Sequence, residues 1–206
     1  EDLTFTNMST IPSGSMTYNW DFGDGGTSGN TNDTHSYGSA GNYAVQLSAT
    51  SNFGCQASLT QNVTVFAIPS ANFVAIDDCV FDVINFNNTS STPSGGLTYQ
   101  WDFGNGNAAT TVNSSQTYSV DGPADVTLIA TSNNGCTDTM VNTVQIFPLP
   151  VIGFSDSVST CGTTYTLDAL NPGGSYFWTT GSATQTIDAL FNGNYSVQVT
   201  SPNGCV

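Results

Sequence analysis

The sequence predicts an all-β chain built as a tandem array of two-sheet sandwiches. Three observations carry that prediction. Helix formers are scarce: Lys and Arg are absent and Glu occurs only at Glu1, while Thr, Ser, Asn, Val and aromatic residues abound. Apolar residues recur with period two, the spacing of a strand with one face in a core and one in water. And a shift of 81 positions overlays residues 5–25 on 86–106 without a gap, FTNMSTIPSGSMTYNWDFGDG on FNNTSSTPSGGLTYQWDFGNG. A constant offset through loops as well as strands marks two copies of one unit.

The elements follow in order along each copy. Trp20 and Phe22 stand two apart on one strand, so both face the core, as do Trp101 and Phe103 in the second copy. Asp24-Gly25 suits the tight turn that follows, because Gly tolerates positive φ and Asp can bond nearby amides. Asp21 points to the opposite face. Tyr43, Val45, Leu47 and Ala49 alternate with polar residues, matched by Val126, Leu128 and Ala130. Turns at 51–54 and 132–135 lead to Gly54-Cys55 and Gly135-Cys136, after which Met140, Val144 and Ile146 alternate in a last strand.

A third unit starts near Val151. It keeps the order strand, Trp178, strand, Gly204-Cys205, but Thr179-Thr180-Gly181 replaces the Asp-Phe-Gly turn. It is expected to lack a last strand, and the first unit to lack a counterpart of 72–83. The expected domains are 1–68, 69–149 and 150–206. Linkers at 66–72 and 147–153 contain Pro69, Pro148 and Pro150, which hold the backbone extended, so an extended rod is expected with roughly 35 Å per unit.

Composition removes several functions. The formal charge is −15, with His35 the one imidazole, so the chain offers no cationic patch to a nucleic acid or an anionic membrane surface. No apolar run reaches the ~18–20 residues of a spanning helix. No Gly-x-Ser-x-Gly elbow is present, and a nucleophilic triad has no second His to draw on, so a non-catalytic role is expected.

The run Trp20-Asp21-Phe22-Gly23-Asp24-Gly25, followed by His35-Ser36-Tyr37, resembles the PKD (polycystic kidney disease) domain. So does Trp101-Asp102-Phe103-Gly104-Asn105-Gly106 with Gln116-Thr117-Tyr118. The resemblance covers residues 1–147 and implies tandem immunoglobulin-like sandwiches. Residues 151–206, with Leu167-Asp168-Ala169-Leu170-Asn171-Pro172-Gly173-Gly174, are similar to the immunoglobulin-like repeats found in the same proteins. Arrays of this style, Cys-containing and poor in Lys and Arg, resemble the giant surface adhesins of Bacteroidota that the type IX system exports, including the mobile adhesin of gliding motility. The resemblance implies an extracellular, cell-surface location. It also implies stalk repeats of an adhesin or filament, whose partners are neighbouring repeats and an external surface or polysaccharide. The alternative is a carbohydrate-binding accessory module of a secreted polysaccharide-degrading enzyme.

Five cysteines lie at 55, 79, 136, 161 and 205. Pairing within units would join Cys79 to Cys136 and Cys161 to Cys205, each bond linking the start of a unit to its late turn. Cys55 would then pair upstream of the chain. Disulfides imply an oxidising compartment; the competing reading leaves the five cysteines as buried free thiols. Zinc is disfavoured, since no Cys-x-x-Cys or Cys/His spacing occurs. No cofactor is expected unless it is calcium: Asp21, Asp24 and Asp33 supply oxygen ligands that could converge on Ca²⁺, as in some PKD-like domains. The competing reading makes these residues turn-forming and solubilising, and Asp77, Asp78 and Asp82 form a second acidic cluster open to the same two readings. Asp138-Thr139-Met140 and Asp156-Ser157-Val158 resemble the Bacteroidota O-glycan acceptor motif, which implies glycans at Thr139 and Ser157.

Overall fold

The structure is a computed structural model describing residues 2–154, 157–159 and 161–206. Among these residues every regular element is a β-strand, and no helix is long and apolar enough to cross a membrane. The chain divides into two compact units. One comprises Glu1–Pro69 with the loops Thr92–Leu97 and Thr131–Thr137; the other comprises Ser70–Ser91, Thr98–Ala130 and Asp138–Val206.

In the first unit β1 (Asp2–Phe5) pairs antiparallel with β4 (Asp33–Ser36), while β3 (Thr27–Ser28), β2 (Met16–Asp21), β5 (Gly41–Ser51) and β6 (Gln56–Val65) form a second sheet in the order β3-β2-β5-β6. The period-two pattern decides which side faces inward. Trp20, Phe22 and Val45 are buried between the sheets, with Phe5, Tyr37, Leu47 and Val63 packed on them. Phe5 of β1 reaches across to Trp20 and Phe22 at ring centroid distances of 5.8 and 5.2 Å.

The second unit opens with the same architecture, and each strand begins at the same constant offset from its counterpart. β9 (Val83–Asn88), β10 (Leu97–Asp102), β11 (Ala108–Ala109), β12 (Ser114–Thr117), β13 (Gly122–Ser132) and β14 (Thr137–Phe147) repeat β1 to β6. Ahead of them lies a strap carrying β7 (Phe73–Val74) and β8 (Asp78–Cys79). β7 extends one sheet, in the order β12-β9-β7; β8 crosses to the other, β11-β10-β13-β14-β8, and runs parallel to the end of β14.

The strap changes the core. Phe73 and Val80 close over Ile84, Phe86, Trp101, Phe103, Val126, Leu128, Val144 and Ile146, and Met140 of β14 packs against this cluster. Residues 3–63 line an open groove of about 820 Å³, with Leu3, Phe5, Met16, Trp20, Leu47 and Leu59 among its walls. Leu59, the counterpart of Met140, is 72% exposed there.

The third repeat is smaller. β15 (Tyr165–Asp168) pairs with β17 (Thr186–Ala189), and β16 (Ser175–Trp178) with β18 (Val197–Thr200). Leu167, Ala169, Trp178 and Val199 make its buried core. Asn171 seats the linker, its side chain accepting from the Val151 amide at 3.1 Å and donating to the Val151 carbonyl at 2.9 Å.

Candidate functional site

The Trp-Asp-Phe-Gly corner is built from local polar bonds around two buried rings. The indole N–H of Trp20 donates to the Asn30 carbonyl at 3.2 Å, and that of Trp101 to the Thr111 carbonyl at 2.9 Å, the equivalent position of the next repeat. Both rings thereby satisfy their one polar atom while buried. Asp21 accepts from the Gly23 amide and Asp102 from the Gly104 amide, each at 2.9 Å. Tyr37 donates its hydroxyl to the Phe22 carbonyl at 3.1 Å, and Tyr118 to that of Phe103 at 2.9 Å. Burial, and secondarily the charges of Asp24 and Asp102, push both phenols above their ordinary pKa.

Gly23 and Gly104 are required here twice over. Their φ angles are +78° and +70°, in the left-handed region that side chains rarely adopt. A Cβ on Gly23 would also lie 2.9 Å from the Ala44 carbonyl oxygen, and one on Gly104 would lie 2.6 Å from that of Asp125. The corner must pass this close to β5 and β13 to turn the chain.

The aspartates expected to gather around calcium are used separately. Asp24 accepts from the Gly26 amide at 2.9 Å and meets His35 Nε2 at 2.7 Å; the His35 hydrogen bond, then the Gly26 amide, hold its carboxyl below the ordinary range. Asp33, at the start of β4, is lowered first by the Ser28 hydroxyl and then by the Thr34 amide, which donates at 2.8 Å. Among the described residues the trio forms no cluster of three ligand atoms within 4.8 Å. Asp78, Cys79 and Asp82 do, but the Cys79 sulfur is committed to a disulfide. Asp77 accepts from the Gln145 amide at 2.8 Å. In the second repeat Asn105, the counterpart of Asp24, accepts from the Asn107 amide at 3.0 Å, and Asn107, the counterpart of Gly26, donates its side-chain amide to Gln116, the counterpart of His35, at 3.2 Å.

The cysteines correct the pairing expected from sequence. Cys79 bonds Cys205, with a Cα–Cα distance of 5.7 Å; Cys55, Cys136 and Cys161 are free thiols. The reason is strand direction. Cys136 stands just before β14, whereas Cys79 pairs with Phe147 at its far end. An 11-residue strand spans roughly 36 Å, and a disulfide needs Cα atoms within about 7 Å. Cys79 instead lies where the chain leaves for the third repeat, and Cys205 Sγ approaches the Phe147 carbonyl at 4.0 Å. The length of the alternating strand after Gly135-Cys136 was the sequence signal that separates the two thiols.

Cys205 sits in a turn that all three repeats share. Ser51, Ser132 and Ser201 each accept from the Gly amide three residues on and donate their own amide to the Cys carbonyl four residues on. Their hydroxyls accept from the Cys amides at 3.1, 3.2 and 3.1 Å. Of the expected glycan positions, Thr139 is exposed on β14 beside Asp138, whose carboxylate accepts from the Ala71 amide at 2.8 Å. Ser157 is exposed as well, while Asp156 of its motif lies outside the described residues.

A family model described as PKD domain matches residues 1–67 and 66–147. The chain belongs to the PKD domain family. Its PKD repeats are similar to part of a microbial collagenase of Vibrio alginolyticus, 43% identical over 81 residues, covering 38% of the chain and 10% of the collagenase. The match thus spans about a tenth of that relative's length. Among solved structures the repeats resemble the PKD1 domain of Vibrio anguillarum Epp, with 32% identity, 40% of this chain and 96% of that domain covered, and a TM-score of 0.38. They also resemble the PKD1 domain of the Vibrio cholerae metalloprotease PrtV, with 32% identity, coverages of 39% and 98%, and a TM-score of 0.37.

Proposed function

We propose that these PKD repeats are non-catalytic stalk units of a large secreted adhesin or filament at the cell surface. The observation that carries this reading is the Cys79–Cys205 bond, which joins one repeat to the next by a second covalent connection beside the linker. Such a bond suits an oxidising, extracellular compartment. The corner supports it too: the polar atoms of Trp20, Asp21 and Tyr37, and of their counterparts, bond to the fold's own backbone. Neighbouring repeats are the immediate partners, and an external surface or polysaccharide the distal one. Attachment, gliding motility and type IX export belong to the same reading, supported by the style of the Lys- and Arg-free tandem repeats.

The collagenase match favours a second reading, an accessory module carried beside the catalytic domain of a secreted degradative enzyme. Its carbohydrate-binding form would stack sugars on exposed aromatics; Trp20, Trp101 and Trp178 are buried, which leaves exposed rings such as Phe53, Phe81, Phe177 and Phe191 for that role. Incubating the oxidised chain with fibrillar collagen, insoluble polysaccharides and a glycan array separates the two readings. A stalk gives no saturable retention. Saturable binding at micromolar concentration overturns the stalk and supports the accessory module.

A further inference from the structure

We infer that the cysteines form a ladder between successive repeats, in which Cys136 and Cys161 are opposite, unfilled halves of the linkage that Cys79–Cys205 completes. Cys161 would take the turn cysteine of a repeat that follows it, and Cys136 the strap cysteine of a repeat that precedes it. The partner in each case is another repeat of this architecture. This goes beyond a stalk role, which requires no particular pairing.

Three independent features assign the halves. Cys55, Cys136 and Cys205 occupy the same Ser-x-x-Gly-Cys turn with the same three hydrogen bonds. Cys79 stands four residues ahead of β9, and Cys161 four ahead of β15. The completed bond joins one member of each class across a repeat boundary. The shared turn gives Cys136 the local geometry of Cys205, and the loop that holds Cys136 falls in the compact unit of Glu1–Pro69. Cys136 is therefore placed with the repeat that would supply its partner, as Cys205 is placed against the exit of β14.

The chemistry is thiol–disulfide exchange. A disulfide oxidant first forms a mixed disulfide with one cysteine, releasing one reduced thiol. The second cysteine, as thiolate, then attacks the protein sulfur and expels the other thiol. Two protein thiols lose two electrons and two protons, and one oxidant disulfide becomes two thiols. Cys161 and Cys55 are exposed and open to the first step.

The test adds a second copy of residues 70–81 directly ahead of Glu1, which sets a new cysteine in the register Cys79 has in its own repeat. The extended chain is oxidised in a glutathione redox buffer, cleaved with Asp-N and chymotrypsin, and its linkages are mapped by non-reducing mass spectrometry. The expected map shows the new cysteine bonded to Cys136 and Cys79 bonded to Cys205, with Cys55 and Cys161 as thiols or glutathione adducts. In a Cys136→Ser version the new cysteine stays unbonded to protein. A bond from the new cysteine to Cys55 in either chain, or its failure to reach Cys136 while Cys79–Cys205 forms, overturns the ladder. So does absence of the Cys79–Cys205 bond itself.

Discussion

Removing the cystine by the double change Cys79→Ala and Cys205→Ala should loosen the third repeat while leaving the second almost untouched. With the second repeat folded, β8 holds Cys79 beside Phe147. Opening the third repeat therefore releases a loop between Phe147 and Cys205, 58 residues apart in sequence. Closing a loop of that size costs the open chain about 4 kcal/mol in the chain-entropy treatment. Little else resists: among the described residues, four buried apolar side chains besides Cys205 form this repeat's core, and four strands of four residues each form its regular structure. The natural assay is hydrogen exchange resolved by mass spectrometry, with amides of β13 and β14 as an internal control. At about 1.4 kcal/mol per tenfold, exchange in β15, β16, β17 and β18 should accelerate by about a thousandfold relative to β13 and β14. A change below tenfold, or an equal change in both repeats, would refute the loop-closure reasoning.

Four further outcomes follow from the geometry. Gly104→Ala should lower the stability of the second repeat by about 1–3 kcal/mol through the Asp125 contact and the positive φ together, whereas Gly106→Ala, at φ +87° with nothing within 4 Å, should cost about 1 kcal/mol; denaturant melts compare them. Tyr118→Phe leaves the buried Phe103 carbonyl without its donor and should cost about 1–3 kcal/mol, more than Tyr37→Phe at the less buried equivalent. Asp24, Asp33 and Asp168 have carboxyls held below the ordinary aspartate value of 3.8, so the stability they confer is complete above that value and is lost as pH falls through their lower folded values; melting temperature scanned from pH 5 to pH 2 should decline in that window. Because only His35 among the side chains can answer the carboxylates, added salt should raise the melting temperature at pH 7 by screening self-repulsion, and a fall would show that attraction dominates.

The sandwich and its corner were legible because each is written twice. Trp20 and Phe22 alternate inward, Trp101 and Phe103 do so again in the next repeat, and the polar bonds of the corner join near neighbours in sequence. Cystine pairing was not legible from the count of cysteines, since it depends on which end of the sandwich each thiol occupies, and that is decided by the direction and length of β14. The local bonds of Asp21 and Asp24 follow a turn rule, each carboxylate accepting from the amide two residues on, whereas Asp33 accepts from the Thr34 amide next to it. The strap at 72–83 was visible in the sequence, but the packing of Phe73 and Val80 onto the core emerges only in the folded chain.

The position of the cystine also determines how the chain meets tension. Cys79 and Cys205 are 126 residues apart, a stretch that fully extended would run on the order of 430 Å. A pull applied across Cys79 and Cys205 passes through the sulfur–sulfur link and bypasses that stretch. Even if both repeats came apart, those residues would stay an unstretched loop hanging beside the loaded path. Reduction would release that hidden length, so redox state sets whether the second and third repeats can lengthen under load, while the first repeat lies outside the loop.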